Sequence, residues 1–342
     1  MTDTLPAATP HRSADRPTER VSARVLALLL PYRRAVETGP REAHPPASGT
    51  GPAAPPDGPA HPLPHPGYRE QLAQIGQFVR TGEPILFTLP GFPCKSPNPA
   101  KVLGHLPDEG ERLSLAFLDR LCARIGEVYP PGARLLICSD GHVFGDLVHV
   151  PDAHIDAYGD ELRAVIRRDR LDHLDTFDLR DVYGGRGLTH DEKRALVDAD
   201  WAPSRESLRA RVRTDEDTLR LYRGITRFLV DDTTGFTGTR SALQRECRAR
   251  AYAVIARSRA WGELIAAHTP RSVRLSIHPQ RCGSAKFGIR LLDADDAWAT
   301  PWHSAVLRDA GGGARLMRRD EAERLGTLVW RHGRPSHFEA VR

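Results

Sequence analysis

An α/β fold, a Rossmann-like mixed or parallel sheet flanked by helices, is what this 342-residue sequence predicts. Three observations carry it. The apolar runs Ile85 to Leu89 and Arg134 to Cys138 are short, bounded by proline or turn residues, and read as buried strands. Between them Leu113, Phe117, Leu121, Ile125 and Val128 form one stripe of a helix over about 109–128. A crossover of that length joins parallel strands right-handedly, so both strands end on one edge of the sheet.

In chain order, residues 18–37 read as a helix, with Val21, Val25, Leu28 and Leu29 at helical spacing. Ten of the 28 prolines then fall between Pro40 and Pro66 among Gly, Ala and His, a composition that buries too little apolar surface to fold. Residues 1–66 are therefore expected to be an extension, a helix plus a disordered linker that contributes no core, and 67–342 a single catalytic domain. A helix over 68–80, the first strand, a Pro-rich loop from Pro90 to His105, the crossover helix and the second strand follow. Helical patterns fill 153–168, 191–198, 205–213, 216–229 and 241–268, the last opened by a capping box Ser241…Gln244. Strand patterns return at Val273–His278, Lys286–Leu292, Ser304–Arg308 and Thr327–Arg331.

Composition excludes several classes. No run approaches the roughly 20 apolar residues that cross a bilayer, and Val25 to Leu30 is too short for a signal peptide. The expected location is the cytoplasm, with no membrane partner. The five cysteines are odd in number and hold no CxxC, so neither a disulfide framework nor a zinc knuckle is indicated. The net charge of +5 comes with no Lys/Arg tract interleaved with aromatics, which argues against nucleic acid and fits an anionic small substrate equally well. Only four of the 49 basic residues are lysines: Lys95, Lys101, Lys193 and Lys286.

The loops after the two strands, Pro90–Lys101 and Ser139–Asp146, should be neighbours at the carboxyl ends of the strands, where open α/β sheets place ligands. The first offers Lys95, Ser96, Asn98 and Lys101 before a helix N-terminus, a setting suited to phosphate. It is not a nucleotide P-loop: Cys94 replaces the glycine before Lys-Ser, and prolines stiffen it. The second carries Asp140 and Asp146. Later strand ends bring His278, Lys286, Arg290, Trp302 and His303. His154 with Asp156, and His173 with Asp175, each match half of a two-histidine, one-carboxylate iron triad but lack a third ligand, so no metal is expected. Tyr222-Arg223-Gly224 and Asp231-Asp232 flank a helix end, where ordinary ion pairing explains them as well as catalysis does.

In order along the chain, LPGFPCKSPNPAKVLG, SDGHVFGDL, LYRGITRFLVDD, SIHPQ, KFGIRLL and TPWHSAV resemble the isocyanide (isonitrile) synthases, also called the pyoverdine/dityrosine biosynthesis family, over roughly residues 68–310. The resemblance implies an enzyme that condenses the α-amine of an amino acid, commonly tyrosine or tryptophan, with the C2 ketone of ribulose 5-phosphate. It implies no metal or organic cofactor, and a separate Fe(II)/2-oxoglutarate oxygenase that acts on the isonitrile. Fungal members lead to dityrosine instead.

The residues suit that chemistry. Lys95 and Lys101, with Ser96 and Asn98, can hold the phosphate. His303, Lys286, His278 and the Asp140/Asp146 pair can serve the proton transfers. Arg223 or Arg290 can clamp the amino-acid carboxylate, and Trp302 can stack on an aromatic side chain. A sugar-phosphate aldolase or lyase using Lys286 or Lys95 as a Schiff-base nucleophile is a rival, as is a non-enzymatic binder of anionic metabolites.

Overall fold

Residues 15–36, 66–294 and 299–341 are described by the structure, a computed structural model. Their elements run α1 (Asp15–Leu29), α2 (Arg69–Thr81), β1 (Ile85–Pro90), α3 (Glu109–Val128), β2 (Ala133–Cys138), α4 (Gly141–Val148), α5 (Asp152–Arg168), β3 (Leu174–Phe177), α6 (Leu179–Tyr183), α7 (His190–Trp201), α8 (Arg205–Thr214), α9 (Glu216–Asp232) and α10 (Arg240–His268). The chain continues as β4 (Val273–Ser276), β5 (Phe287–Gly288), β6 (Asp293–Ala294), β7 (Ala305–Arg308), β8 (Ala314–Met317), α11 (Arg319–Leu325), β9 (Gly326–Arg331) and β10 (Arg334–Ala340). Most of the Pro/Gly-rich linker expected before Gly67 lies outside the described residues.

Alternation along the strands builds the two faces of the first sheet. Ile85, Phe87, Leu89, Leu135 and Ile137 point to one side and pack against α1, α2, α3 and α5. Leu136, Cys138 and Phe177 point to the other, against Trp261, Leu264 and Ile265 of α10 and against α6 and α7. Five parallel strands stand in the order β3-β2-β1-β4-β5. The α/β fold with a parallel sheet flanked by helices is thus borne out. Connections leave β1 in opposite directions along the sheet, toward β2 on one side and, after the long return, to β4 on the other. A crevice opens at such a reversal, at the carboxyl ends of β1 and β4.

Details depart from the sequence reading. The expected strand Lys286–Leu292 is two residues long, and residues 33–35 lie along its far edge: Arg34 N donates to Gly288 O at 2.8 Å. A Cβ at Gly288 would overlap the Arg34 carbonyl oxygen, so glycine is required there. The capping box Ser241…Gln244 is not the helix start; α10 begins at Arg240, and Thr239 Oγ1 caps it by accepting from Ala242 N. The strands after β5 do not extend the first sheet. They form a second one, β6-β8-β7-β10-β9, with the unforeseen β8, β10 and α11 packed around Leu307, Met317 and Phe338.

The largest correction concerns α1. Val25, Leu26 and Leu29 are fully enclosed in the main core with Ile75, Leu118 and Phe287. Arg33 Nη1 donates to Tyr68 Oη at 2.6 Å, and Arg33 bridges to Ile289. Proline content marked the linker correctly as poor in apolar residues, but the helix before it has an apolar stripe that the domain buries. A chain beginning at Gly67 is expected to be about 5 kcal/mol less stable in urea unfolding, from the loss of three buried aliphatic side chains at about 1.5–3 kcal/mol each. Unchanged stability would show that α1 is dispensable to the core.

Candidate active site

The loop from Gly91 to Gly104 crosses the carboxyl edge of β1 and is fastened at its start. Phe92 adopts a left-handed conformation, φ 54°, that sinks its ring into the core 5.0 Å from Trp302. Ser139 Oγ donates to Phe92 O at 3.2 Å, and a Cβ at Gly141 would overlap Pro93 O. The loops after β1 and β2 are therefore neighbours, as topology requires.

Lys95 is the loop's anchor. Its ammonium lies 2.8 Å from Asp108 Oδ2, 2.8 Å from Glu111 Oε2 and donates to Pro301 O at 2.9 Å. Three donors meet three acceptors, and the side chain has no exposure. Asp108 caps α3, accepting from Gly110 N, while Glu111 completes the capping box and accepts from Tyr158 Oη at 3.1 Å. Burial works against the Lys95 charge, yet the two carboxylates outweigh it and hold its pKa above the ordinary lysine range. Burial, reinforced by Glu111, raises Asp108. Ser96 N donates to Trp302 O at 2.8 Å, completing the tie between this loop and the 300–303 turn.

A second cluster follows within one turn of chain. Lys101 Nζ contacts both Asp231 and Asp232 at the end of α9, and stands 5.5 Å from the centre of the Phe228 ring. Ser96 Oγ donates to Asp232 Oδ2 at 2.9 Å, and Asn98 Nδ2 to Asp231 O at 2.7 Å. His303 brings Nε2 to 4.0 Å from Asp232 Oδ2 and shares a 3.0 Å hydrogen bond between Nδ1 and Thr300 Oγ1. Burial, then Lys101, Lys95 and His278, push the His303 pKa down to about 3, so its imidazole is neutral near pH 7. Asp232 is raised by burial against the pull of Lys101 and Ser96.

Two further candidates border this cluster. His278, just beyond β4, keeps an exposed edge but is crowded by surrounding protein; that crowding, Arg34 and Lys286 lower its pKa to about 4. Asp140 follows β2 and keeps Oδ1 buried without a hydrogen-bond partner, and burial lifts its pKa to about 7. Cys94 feels both Asp140 and Asp232, which with burial raise its thiol, so the two carboxylates flank it. Lys286 is held below the ordinary lysine range by burial and Arg274, against Glu263.

Other predicted site residues are placed elsewhere or committed elsewhere. Asp146 lies on α4 and takes Arg257 at 2.6 Å, with Arg194 at 3.8 Å, tying α4 to α10 and α7. Trp302 is 2% exposed, its ring packed between Gly91 and Phe92, so it offers no open face for stacking. Lys95 likewise presents no free donor to a phosphate. Arg290 is paired with Asp293 at 3.1 Å, and Arg223 lines a separate groove between α9 and α10. The sequence reading set Asp231 and Asp232 aside and missed Asp108, Glu111 and Thr300. The rarity of lysine was the available signal, since each buried ammonium needs a carboxylate partner.

The half-triads of the sequence reading do not assemble as such: His173 bonds Asp119 at 2.9 Å, and His154 stacks on His105. Among the described residues, His142, Asp156 and His190 are the group close enough to hold a metal ion. Asp156 reaches His142 at 3.0 Å and His190 at 3.4 Å, but the rings stack parallel at 3.7 Å, so they share no in-plane point for an ion as they stand.

Residues 75–329 match the sequence model of the pyoverdine/dityrosine biosynthesis proteins. An L-tyrosine isonitrile synthase of Pseudomonas aeruginosa is 47% identical over 272 residues, 78% of this chain and 83% of that protein. The L-tryptophan isonitrile synthase AmbI2 of Fischerella ambigua is 44% identical over 270 residues, 78% of this chain and 81% of that one. The crystal structure of the PvcA protein from Pseudomonas aeruginosa superposes with a TM-score of 0.81 and 43% identity, covering 93% of this chain and 99% of that one.

Asp140 gives a stability test independent of any substrate. Its folded pKa, about 7, lies above its unfolded value, so the stability it contributes is complete below about pH 4 and is lost as pH rises through 7. Asp140→Asn, which mimics the protonated acid, should match wild type at pH 4 and gain on it by up to about 1.4 kcal/mol per pH unit toward pH 7. A gap that does not grow with pH in urea titrations would refute the raised carboxyl with its buried, unpartnered Oδ1.

Proposed function

The chain belongs to the pyoverdine/dityrosine biosynthesis protein family, and on that premise we propose that it is an isonitrile synthase acting on an aromatic amino acid, tyrosine or tryptophan, with the isonitrile carbon supplied by C2 of ribulose 5-phosphate. The observation that carries the reading is the meeting, at the switch between β1 and β4, of residues from five of the six family-like motifs. Ser96, Lys101 and His303 gather around Asp232, His278 acts on His303, and Asp140 acts on Cys94 beside Ser96.

Condensation of an amine with a ketone needs a base to free the amine and an acid to release water from the carbinolamine; loss of phosphate and carbon–carbon cleavage need further proton transfers. Neutral His303 and His278 suit the accepting role near pH 7. Asp140, poised at about 7, can both hold and release a proton. Its orphaned oxygen also suits the α-ammonium of an amino acid, since a buried carboxylate gains most from a charged donor. Lys101, fixed between Asp231 and Asp232, favours the ionised form of both carboxylates and adds to burial in disfavouring a charge on His303. We propose that this chemistry proceeds without metal or organic cofactor, in the cytoplasm, and that a separate Fe(II)/2-oxoglutarate oxygenase consumes the product. The family resemblance supports the first and the last of these points, and the lack of a signal-peptide pattern the second. Among the described residues no helix is long and apolar enough to cross a membrane.

One observation favours the rival lyase: the lowered pKa of Lys286 suits a Schiff-base amine. Borohydride reduction in the presence of ribulose 5-phosphate, with mapping of any adduct to Lys286, separates the two.

The purified chain, incubated with chelator, ribulose 5-phosphate and tyrosine or tryptophan, should give a tetrazine-reactive isonitrile in undiminished yield. No adduct with any proteinogenic amino acid would refute the reading. His303→Ala should lower kcat by about 10²- to 10⁴-fold while the melting temperature holds; unchanged kcat would remove His303 from the chemistry.

A further inference from the structure

On the hairpin of α9 and α10, four arginines share one groove and have no counter-charge. Arg223 and Arg227 of α9 face Arg240 and Arg248 of α10 across a groove of about 290 Å³ that Tyr222 also lines. Among the described residues none of the four has a carboxylate within 4.0 Å. Their neighbours behave otherwise: Arg220 pairs with Glu216 and Asp217, Arg250 with Glu246, and Arg257 with Asp146 and Asp198. All four are exposed at the rim of the groove, and Arg223 and Arg227 are spaced i, i+4, where repulsion between like charges destabilises a helix. An anion of two or more charges removes it, and planar guanidinium forks match phosphate oxygens two at a time.

We infer that this groove is a binding site for the phosphate group of a small phosphate ester. Its size and concavity suit a small molecule, whereas an acidic protein or a nucleic acid would be met by a broader, flatter basic surface. The two lysines of the loop after β1 cannot take this role, since both are neutralised by pairs of carboxylates. Arg227 stands one helical turn, about 6 Å along the axis, from Asp231 of the recess. The occupant is therefore either the sugar phosphate of the proposed reaction, an assignment that rests on that reading, or a separate phosphorylated metabolite.

The test is calorimetric titration of the full chain at low ionic strength, first with inorganic phosphate and then with ribulose 5-phosphate. One equivalent of phosphate should bind, and Arg240→Glu with Arg248→Glu should weaken it by about ten- to hundredfold without lowering the melting temperature. The double lysine variant at the same positions should keep most of the affinity and guards against a loss caused by misfolding. Ribulose 5-phosphate binding, and its KM, weakened in parallel identify it as the occupant; phosphate binding lost with the KM unchanged identifies a separate ester. Absence of phosphate binding in the wild-type chain, or equal binding by the folded double glutamate variant, would overturn the site. Isonitrile formation is scored separately, so failure of the proposed reaction leaves the titration intact.

Discussion

A single buried ammonium holds the recess together. Lys95 takes the N-terminal carboxylates of α3, Asp108 and Glu111, and the carbonyl of Pro301, and so joins the first sheet's edge loop, its crossover helix and the turn that leads into the second sheet. Enclosing a charge this completely is costly unless each donor is satisfied, and here each is. Ser96 and Trp302 are set by the same tie, and from them follow the positions of Asp232 and His303. Glu109, beside the cap, extends the junction to Arg308 of β7 at 2.6 Å.

Charge at the carboxyl edge is ordered by rank of burial. Lys95 and Lys101 each face two carboxylates; His303 loses its charge to burial first and then to these two cations, and His278 to burial, Arg34 and Lys286. The result is a recess whose acid and base groups are a neutral imidazole pair and a carboxyl poised near neutrality. That combination suits taking a proton from an α-ammonium and returning one to the oxygen of a ketone.

Much of this was legible in the sequence, for identifiable reasons. Parallel strands and their shared edge followed from two apolar runs and one helical stripe, because periodicity is a local property. The loop after β1 and residues His278 and His303 were found from their places at strand ends. What escaped was long-range. Nothing near Lys95 in the chain says that Pro301 O will meet it, and Trp302, attractive as a stacking surface, was needed to cover Phe92 and Gly91. Asp231 and Asp232 looked like ordinary surface acids until Lys101 arrived from 130 positions away. The helix α1 was hidden by its low-complexity neighbour, and the second sheet by strands too short to show alternation.

The account turns on Lys95 as an anchor and not a contact to substrate, and the unfolding free energy of Lys95→Met measures this directly. Removing the ammonium leaves two carboxylates buried side by side, and the account predicts a loss of about 3–5 kcal/mol in urea unfolding at neutral pH. A variant within about 0.5 kcal/mol of wild type, a change typical of surface substitutions, whose defect shows only as a raised KM for the sugar phosphate, would contradict it.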